Sequence, residues 1–380
     1  MTLDDYRAKI DQADAALLAA FRERMATAGE IAAYKKAHDM PILDSGRERR
    51  KFKDIAAQAG EELSDYATVL YALLFELSRS YQGRLLDTTT ELTRQITDAI
   101  ENTPHLFPPH AQVACQGVEG AFSQSACEKL FRAPDIAFFS SFDAVFSAIE
   151  SGLCRYGVIP LENSDAGSVK AVYDLMIRHN FYITRSVRLK VDHSLAAPRG
   201  VRLENVREII SHEQAIRQCS EFLASLPGVK VTACANTAVA ARTVAESGRT
   251  DIAALCSREC LELYNLACLR SSVQNRDNNY TRFICISQNL EIFPGADRTS
   301  IMMVLPHQAG SLYKVLARFY ALGINLLKLE SRPIPDRDFE FMFYFDLDTS
   351  VYSPEFIQLM GELQSISQEF KYLGSYSEVI

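Results

Sequence analysis

Polar residues near the start of the chain are spaced to meet around one small anion. Arg24 and Lys35 stand 11 positions apart, which at about 100° per residue returns them to within about 20° of one helical line. Ser78 and Gln82, at i and i+4, share a face of a later helix. Between these pairs comes Asp44-x-x-Arg47-Glu48. Cations, amides and paired acids turned into a helical bundle suit a small dianion that carries hydroxyl groups. Arg7 lies 17 residues before Arg24, about 26 Å along a straight helix and about 100° off its line. One helix cannot bring both arginines to one small ligand, so an Arg7 that took part in such a site would do so in a partner subunit.

A second set of polar groups sits at strand ends, where open α/β sheets bind ligands. Gly117-Val118-Glu119-Gly120-Ala121-Phe122-Ser123 follows a strand and opens a helix, so its backbone can approach an anion at the helix N-terminus. It lacks the third glycine of a dinucleotide fingerprint. Pro160-Leu161-Glu162-Asn163-Ser164 ends another strand, with Gly167-Ser168-Val169 opening the next helix. Ser211-His212-Glu213-Gln214, with Gln218 beyond it, marks a further strand–helix junction. Asn279-Tyr280-Thr281-Arg282-Phe283 precedes a late strand.

The elements that must position these residues divide the chain in three. Its 380 residues exceed what one core normally serves. With 48% apolar and 23% charged residues it is an ordinary folded chain, not a disordered or fibrous one. Residues 1–101 carry helical spacing, beginning with Leu3, Tyr6, Ile10, Ala13, Leu17 and Phe21 and running to about Lys36. A stripe of that length cannot bury itself and asks for a partner chain or long neighbours. Ser45-x-x-Glu48 has capping-box spacing and opens a second helix. A third is expected from Ser64 to Ile100, broken at Gly83, with Thr88-x-x-Glu91 as a helix start. The proline-rich stretch 102–110 is a linker.

From 111 to 287, short apolar runs alternate with helical stretches, which predicts a two-lobed α/β module with largely parallel sheets. The strand candidates are 113–116, 136–139, 155–160, 183–189, 208–210, 229–233, 251–255 and 283–286; the helices include 123–131, 142–151, 214–223 and 237–247. A boundary falls in 288–298. Residues 299–380 then read strand, helix, strand, strand (Phe339–Asp346), helix (opened by Ser353 and Pro354), strand. That is a ferredoxin-like βαββαβ sandwich.

The motifs carry a family resemblance. Tyr6-Arg7-Ala8-Lys9-Ile10, Arg24, Lys35, Asp44-x-x-Arg47-Glu48 and Ser78-x-x-x-Gln82 resemble the all-helical chorismate mutases. The likeness implies rearrangement of chorismate to prephenate, with Arg7, Arg24 and Arg47 holding carboxylates or organising the site, Ser78 assisting, Lys35 and Gln82 donating to the ether oxygen, and Asp44 and Glu48 at the ring hydroxyl. The strand-end motifs, in their order, resemble prephenate dehydratase over 111–287, which implies loss of carbon dioxide and hydroxide to give phenylpyruvate. Thr281 would act on the leaving hydroxyl, supported by Glu162, Asn163, Ser164, Ser211 and Gln218, with Arg282 orienting a carboxylate. A threonine hydroxyl is a weak acid, so a protonated or polarising neighbour such as Glu162 is expected. Two places depart from the family: Glu213 follows His212 where proline is common, and Cys260–Leu266 lacks the usual glycines. Ala309-Gly310-Ser311-Leu312 and Glu330-Ser331-Arg332-Pro333 resemble the ACT regulatory domain of the same enzymes, which implies feedback inhibition by L-phenylalanine bound between paired domains.

The resemblance as a whole is to the bifunctional chorismate mutase–prephenate dehydratases, and it implies a homodimer with intertwined N-terminal helices, or a higher oligomer. Two rivals differ in class or specificity. A non-catalytic sensor would bring a helix-turn-helix or membrane tether, and neither is present; a dehydratase preferring arogenate would differ by a few cleft residues. A net charge of −8 argues against a nucleic-acid coat, and no apolar run is long enough for a membrane. The nine cysteines, odd in number and without a Cys-x-x-Cys pair, indicate reduced thiols and a cytoplasmic location. Seven histidines without ligand spacing predict no metal and no cofactor.

Overall fold

The computed structural model describes residues 2–38, 40–41, 44–86, 90–335, 337 and 340–380. Helix α1 (Leu3–Ala37) begins with a reciprocal cap: Thr2 accepts the Asp5 N–H at 3.3 Å, and the Asp5 carboxylate accepts the Thr2 N–H at 2.6 Å. Along it only Ala28 and Ala32 are buried. Leu3, Tyr6, Ile10 and Leu17 stand more than half exposed, so the N-terminal half of the apolar stripe is left uncovered by the described residues. Helix α2 (Ser45–Leu86) is two helices joined at Gly60, whose φ of 73° no helix contains.

Three expectations change here. Asp44, not Ser45, caps α2, its Oδ1 accepting the Arg47 N–H at 2.9 Å; Glu48 pairs elsewhere. The third helical run begins directly after Gly60 rather than at Ser64. It passes Gly83 unbroken to Leu86. A separate helix, α3 (Glu91–Asn102), follows, capped by Thr90; Thr88 lies outside the described residues. Periodicity alone misses such a break when helical spacing resumes beyond it. The buried Ile96 and Ala99 of α3 pack with Phe319, Phe345 and Leu363 of the C-terminal sandwich.

The first α/β lobe contains β1 (His110–Gln116), α4 (Phe122–Leu130), β2 (Ala133–Phe139), α5 (Phe142–Glu150), β3 (Tyr156–Asn163), β4 (Gly167–Ser168), α6 (Lys170–Arg178) and β5 (Tyr182–Lys190). The chain crosses to a second lobe of β6 (Ser194–Pro198), β7 (Glu208–His212), α7 (Glu213–Gln218), α8 (Ser220–Ala224), β8 (Lys230–Cys234), α9 (Thr237–Glu246), β9 (Ile252–Cys256), α10 (Glu259–Leu263) and β10 (Leu266–Arg270). It returns as β11 (Tyr280–Ser287), which inserts between β5 and β3.

Both sheets are mixed rather than largely parallel. β1 pairs parallel with β2 and β3, but β11 runs antiparallel to β3 and β5. In the second lobe β7 pairs parallel with β8 and β9, while β6 is antiparallel to β9 and β10. A chain that leaves a lobe and comes back must lay some strands against the direction of the others. The run expected at 214–223 is two short helices that meet at Cys219.

The C-terminal sandwich is β12 (Arg298–Val304), α11 (Ser311–Ala321), β13 (Asn325–Pro333), β14 (Phe341–Asp348), α12 (Pro354–Ile366) and β15 (Glu369–Tyr376). Its antiparallel sheet has the order β13-β14-β12-β15, the ferredoxin-like arrangement; Phe339, expected to start β14, lies outside the described residues. A final strand, β16 (Glu378–Val379), leaves the sandwich and joins the first lobe beside β5. Leu161, Tyr173 and Ile284 of that lobe share one buried core with Met302, Tyr344 and Tyr376 of the sandwich. No helix of the described residues is long and apolar enough to cross a membrane.

Candidate active sites

The break at Gly60 turns the second half of α2 back along α1. A cavity of about 600 Å³ opens between them, and Arg24, Lys35, Asp44, Arg47, Glu48, Ser78 and Gln82 all line it. Arg24 donates to Ser78 Oγ and to the Leu74 carbonyl at 3.1 Å, and its guanidinium lies 5.4 Å from the Phe75 ring centre. Burial weakens its hold on the proton without threatening the charge. Arg7 is not in this cavity. It is exposed on α1, paired with Asp4 at 3.1 Å.

Arg79 escaped the sequence reading. It lines the cavity and ion-pairs both Glu48 and Glu76. Glu76 is buried and meets Arg318 of α11 at 2.7 Å, so one wall of the helical cavity is tied to the C-terminal sandwich. The signal was present as Glu76-x-x-Arg79, an i, i+3 ion-pair spacing.

The second site forms where β3 and β11 end side by side, at the crossing between the lobes. Register pairs Thr281 with Asn163 and Arg282 with Glu162. Neighbouring residues of a strand point to opposite faces, so the two pairs lie on different sides of the sheet. On the front, Asn163 Nδ2 donates to Thr281 Oγ1 at 2.9 Å and to Asn279 Oδ1 at 2.7 Å. Its own Oδ1 accepts the Asp165 and Ala166 N–H groups at 3.0 and 2.9 Å, which fixes the amide's orientation. Ser164 Oγ donates to the Asn278 carbonyl and accepts the Tyr280 N–H, closing the same corner.

At the crossing strands His193 is buried, with Nε2 3.1 Å from Gln218 Oε1 and its ring edge-on to Phe122. Burial lowers its pKa, so it is neutral at neutral pH. Ser211 is fully buried and donates to the Leu255 carbonyl at 2.7 Å within the second sheet. The glycine-rich turn is pinned from the second lobe: Tyr264 Oη donates to the Glu119 carbonyl at 2.8 Å, and Cys260 Sγ to that of Gly120 at 3.3 Å. The segment lacking glycines is thus a short helix, α10, followed by Asn265 in the left-handed region (φ 52°).

Glu162 and Arg282 face the other way, which corrects the roles expected of them. Arg282 is 5% exposed. Its guanidinium meets Asp346 at 2.5 Å, Tyr376 Oη at 2.7 Å and Glu162 at 3.2 Å. Burial opposes its charge, but Tyr376, Asp346 and Tyr344 outweigh that and raise its pKa. It holds the sandwich, not a substrate carboxylate. Burial likewise opposes charge on Glu162, yet Lys328 (2.5 Å) and Arg282 hold it below the usual carboxylate range. It is an ionised clamp and cannot be the protonated neighbour of Thr281.

The motif expected to bind an effector also divides. Gly310 caps α11 with φ 83°, and Ser311 lines a cavity of about 930 Å³ between α2 and the sandwich; Leu312 packs on the sandwich core. Glu330 accepts from Ser168 at 2.7 Å, and Arg332 grips Asp174 with contacts of 2.7–2.9 Å, so both turn onto the first lobe. Ser331 and Pro333 alternate with them and stay exposed.

Comparison with known proteins agrees with this division. Residues 6–83 match the family chorismate mutase type II, and residues 113–291 match the family prephenate dehydratase. The chain is 31% identical, over 97% of its length and 94% of the relative's, to the bifunctional chorismate mutase/prephenate dehydratase of Enterobacter agglomerans. It is 35% identical to arogenate dehydratase/prephenate dehydratase 2 of Arabidopsis thaliana, over 75% of this chain and 76% of that one. Among solved structures it resembles the prephenate dehydratase of Arthrobacter aurescens in complex with L-Phe, with a TM-score of 0.65 and 25% identity over 70% of this chain and 90% of that chain. Both catalytic modules thus stand on one chain, and the chain belongs to the family of bifunctional chorismate mutase/prephenate dehydratases.

Proposed function

We propose that the α1–α2 cavity rearranges chorismate and that the Asn163–Thr281 corner dehydrates prephenate. Breaking the ether bond of chorismate while a carbon–carbon bond forms needs no proton transfer, so the first site has to hold the compact conformer and stabilise charge. Arg24 and Arg47 bind carboxylates, Ser78 orients Arg24, Lys35 and Gln82 donate to the ether oxygen, and Asp44 and Glu48 take the ring hydroxyl. Gathering of these seven residues around one cavity supports the assignment. The exposed stripe of α1 and the outlying Arg7 support a homodimer with intertwined N-terminal helices, or a higher oligomer, in which Arg7 completes the partner's site. Mixing Arg7→Ala and Lys35→Ala chains should restore part of the mutase rate in exchanged heterodimers; no rescue would sink the shared site.

In the second site the bond to the leaving carboxylate supplies the electron pair that aromatises the ring, and the ring C–OH bond carries a pair away with hydroxide. The carrying observation is the direction of one hydrogen bond. Asn163 donates to Thr281 Oγ1, so the Thr281 proton is free to be donated to the departing hydroxyl. Asn279 and Gln218 frame the corner with Ser164; Ser211 braces the second lobe from within.

The modules are proposed to run 1–101 for the mutase, 111–287 for the dehydratase and 299–380 for an ACT-type regulatory domain, with α3 packed onto the last. L-phenylalanine is the proposed effector, held near Gly310, Ser311 and Leu312 with Ser331 and Pro333, and shared by a second copy along the open edge of β13. The protein is placed in the cytoplasm, in keeping with nine free cysteines. Supplying chorismate and following prephenate and phenylpyruvate separately, with and without phenylalanine, tests the scheme. Lys35→Ala should abolish the mutase and spare the dehydratase, and Thr281→Ala the reverse; one substitution removing both from folded protein would refute separate sites.

A further inference from the structure

Thr281 and Asn163 share the front of the sheet, and the residues directly beside them, Arg282 and Glu162, share the back. Among the described residues, every charged partner on the back is supplied by the same strands or by the C-terminal residues. Asp346 of β14 takes Arg282 at 2.5 Å and Tyr376 of β15 accepts from it at 2.7 Å; Lys328 of β13 takes Glu162 at 2.5 Å. Glu378 of β16 approaches Arg282 at 3.6 Å. Asp346 is itself held by Ser300 and by Tyr344 Oη at 2.5 Å.

The grip falls where the strand needs it. Register between β11 and β3 slips between Arg282 and Phe283, while pairing with β5 runs on unbroken there; the irregularity loosens the strand on the side of Asn163 alone. We propose that Arg282 is a positioning residue for the dehydratase, through which the C-terminal sandwich sets where the Thr281 hydroxyl stands. Arg282 has no solvent to fall back on, since its side chain is 6% exposed. Displacing the sandwich would strand a buried charge on one side or the other, so strand and sandwich shift together or not at all. An effector that moves the sandwich therefore moves Thr281. That regulatory half rests on the effector reading above, whereas the positioning half does not.

The test uses the full chain and two outlying members of the clamp, Tyr376→Phe and Lys328→Met, which leave the Arg282–Asp346 pair in place. Arg282→Lys and Arg282→Met extend the series wherever circular dichroism shows native fold. Expected is a fall of about tenfold in kcat on prephenate, with KM within about twofold and the mutase rate unchanged. Arg282→Lys should retain more activity than Arg282→Met. The loss should vanish when the same substitutions are made on Thr281→Val, because the clamp acts through that hydroxyl. Calorimetry should show wild-type binding of phenylalanine in Tyr376→Phe and Lys328→Met but a smaller maximal inhibition. Unchanged kcat in both, or the same fractional loss on Thr281→Val, overturns the positioning role. Full inhibition despite lowered kcat overturns the coupling. A wild type that binds no phenylalanine overturns the effector reading alone, because the kcat comparison needs no effector.

Discussion

Asn163 makes five hydrogen bonds at 2.7–3.2 Å, and only one of them touches Thr281. Such an amide is locked, and it offers Thr281 a donor and nothing else. The hydroxyl must then find its acceptor elsewhere, which is the condition for assisting a leaving group. Thr281→Val keeps the shape and removes the proton. It should lower kcat for phenylpyruvate formation by about 10²–10⁴ with KM little changed, while Thr281→Ser keeps most of the rate. Which residues share this corner was half legible. The motif reading grouped Glu162 with Asn163 and Arg282 with Thr281 by nearness in sequence, although alternation along a strand already separates such neighbours. What lies behind the sheet was not legible, because the contact of Lys328 with Glu162 spans 166 positions.

Two elements decide the helical cavity: the long α1 and the turn that brings α2 back onto it. Gly60 combines φ 73° with ψ 168°, a region practically closed to residues with a side chain. Nothing lies within 4 Å of where a Cβ would stand, so the cost of Gly60→Ala is backbone strain rather than a clash. That strain should remove about 1–3 kcal/mol from the stability of the helical module, read as a lower urea midpoint for loss of mutase activity, with the dehydratase midpoint unchanged. The helices were legible from their spacing, and so was the length of α1. The joint was not, since helical spacing continues on both sides of it. In the α/β lobes β6 and β10 were overlooked because alanine, cysteine and a terminal proline replace the branched residues that announce a strand.

Across the whole molecule the sandwich and the first lobe behave as one body, joined by a shared core and by the Glu162–Lys328–Arg282–Asp346 cluster. Its acid response follows from Glu162, whose folded-state pKa lies below its ordinary value. A depressed carboxyl contributes stability that is fully present above its unfolded pKa of about 4.3 and disappears as pH falls through the lower folded value. Glu162→Gln should therefore lower Tm at neutral pH, and the gap from wild type should close in thermal scans taken progressively below about pH 4. Gly374 shows how closely the two parts are built together, for a Cβ there would sit 2.4 Å from the Ile183 carbonyl oxygen. The fold class of each part was legible from periodicity; their union was not, because it depends on which side chains meet across the chain rather than on any local pattern. One consequence concerns the order in which the chain is made. β16 covers the outer edge of β5, yet it leaves the ribosome after every other described element. During synthesis the dehydratase lobe must wait with that edge bare, a template for wrong pairing, until residues 378 and 379 arrive to close it.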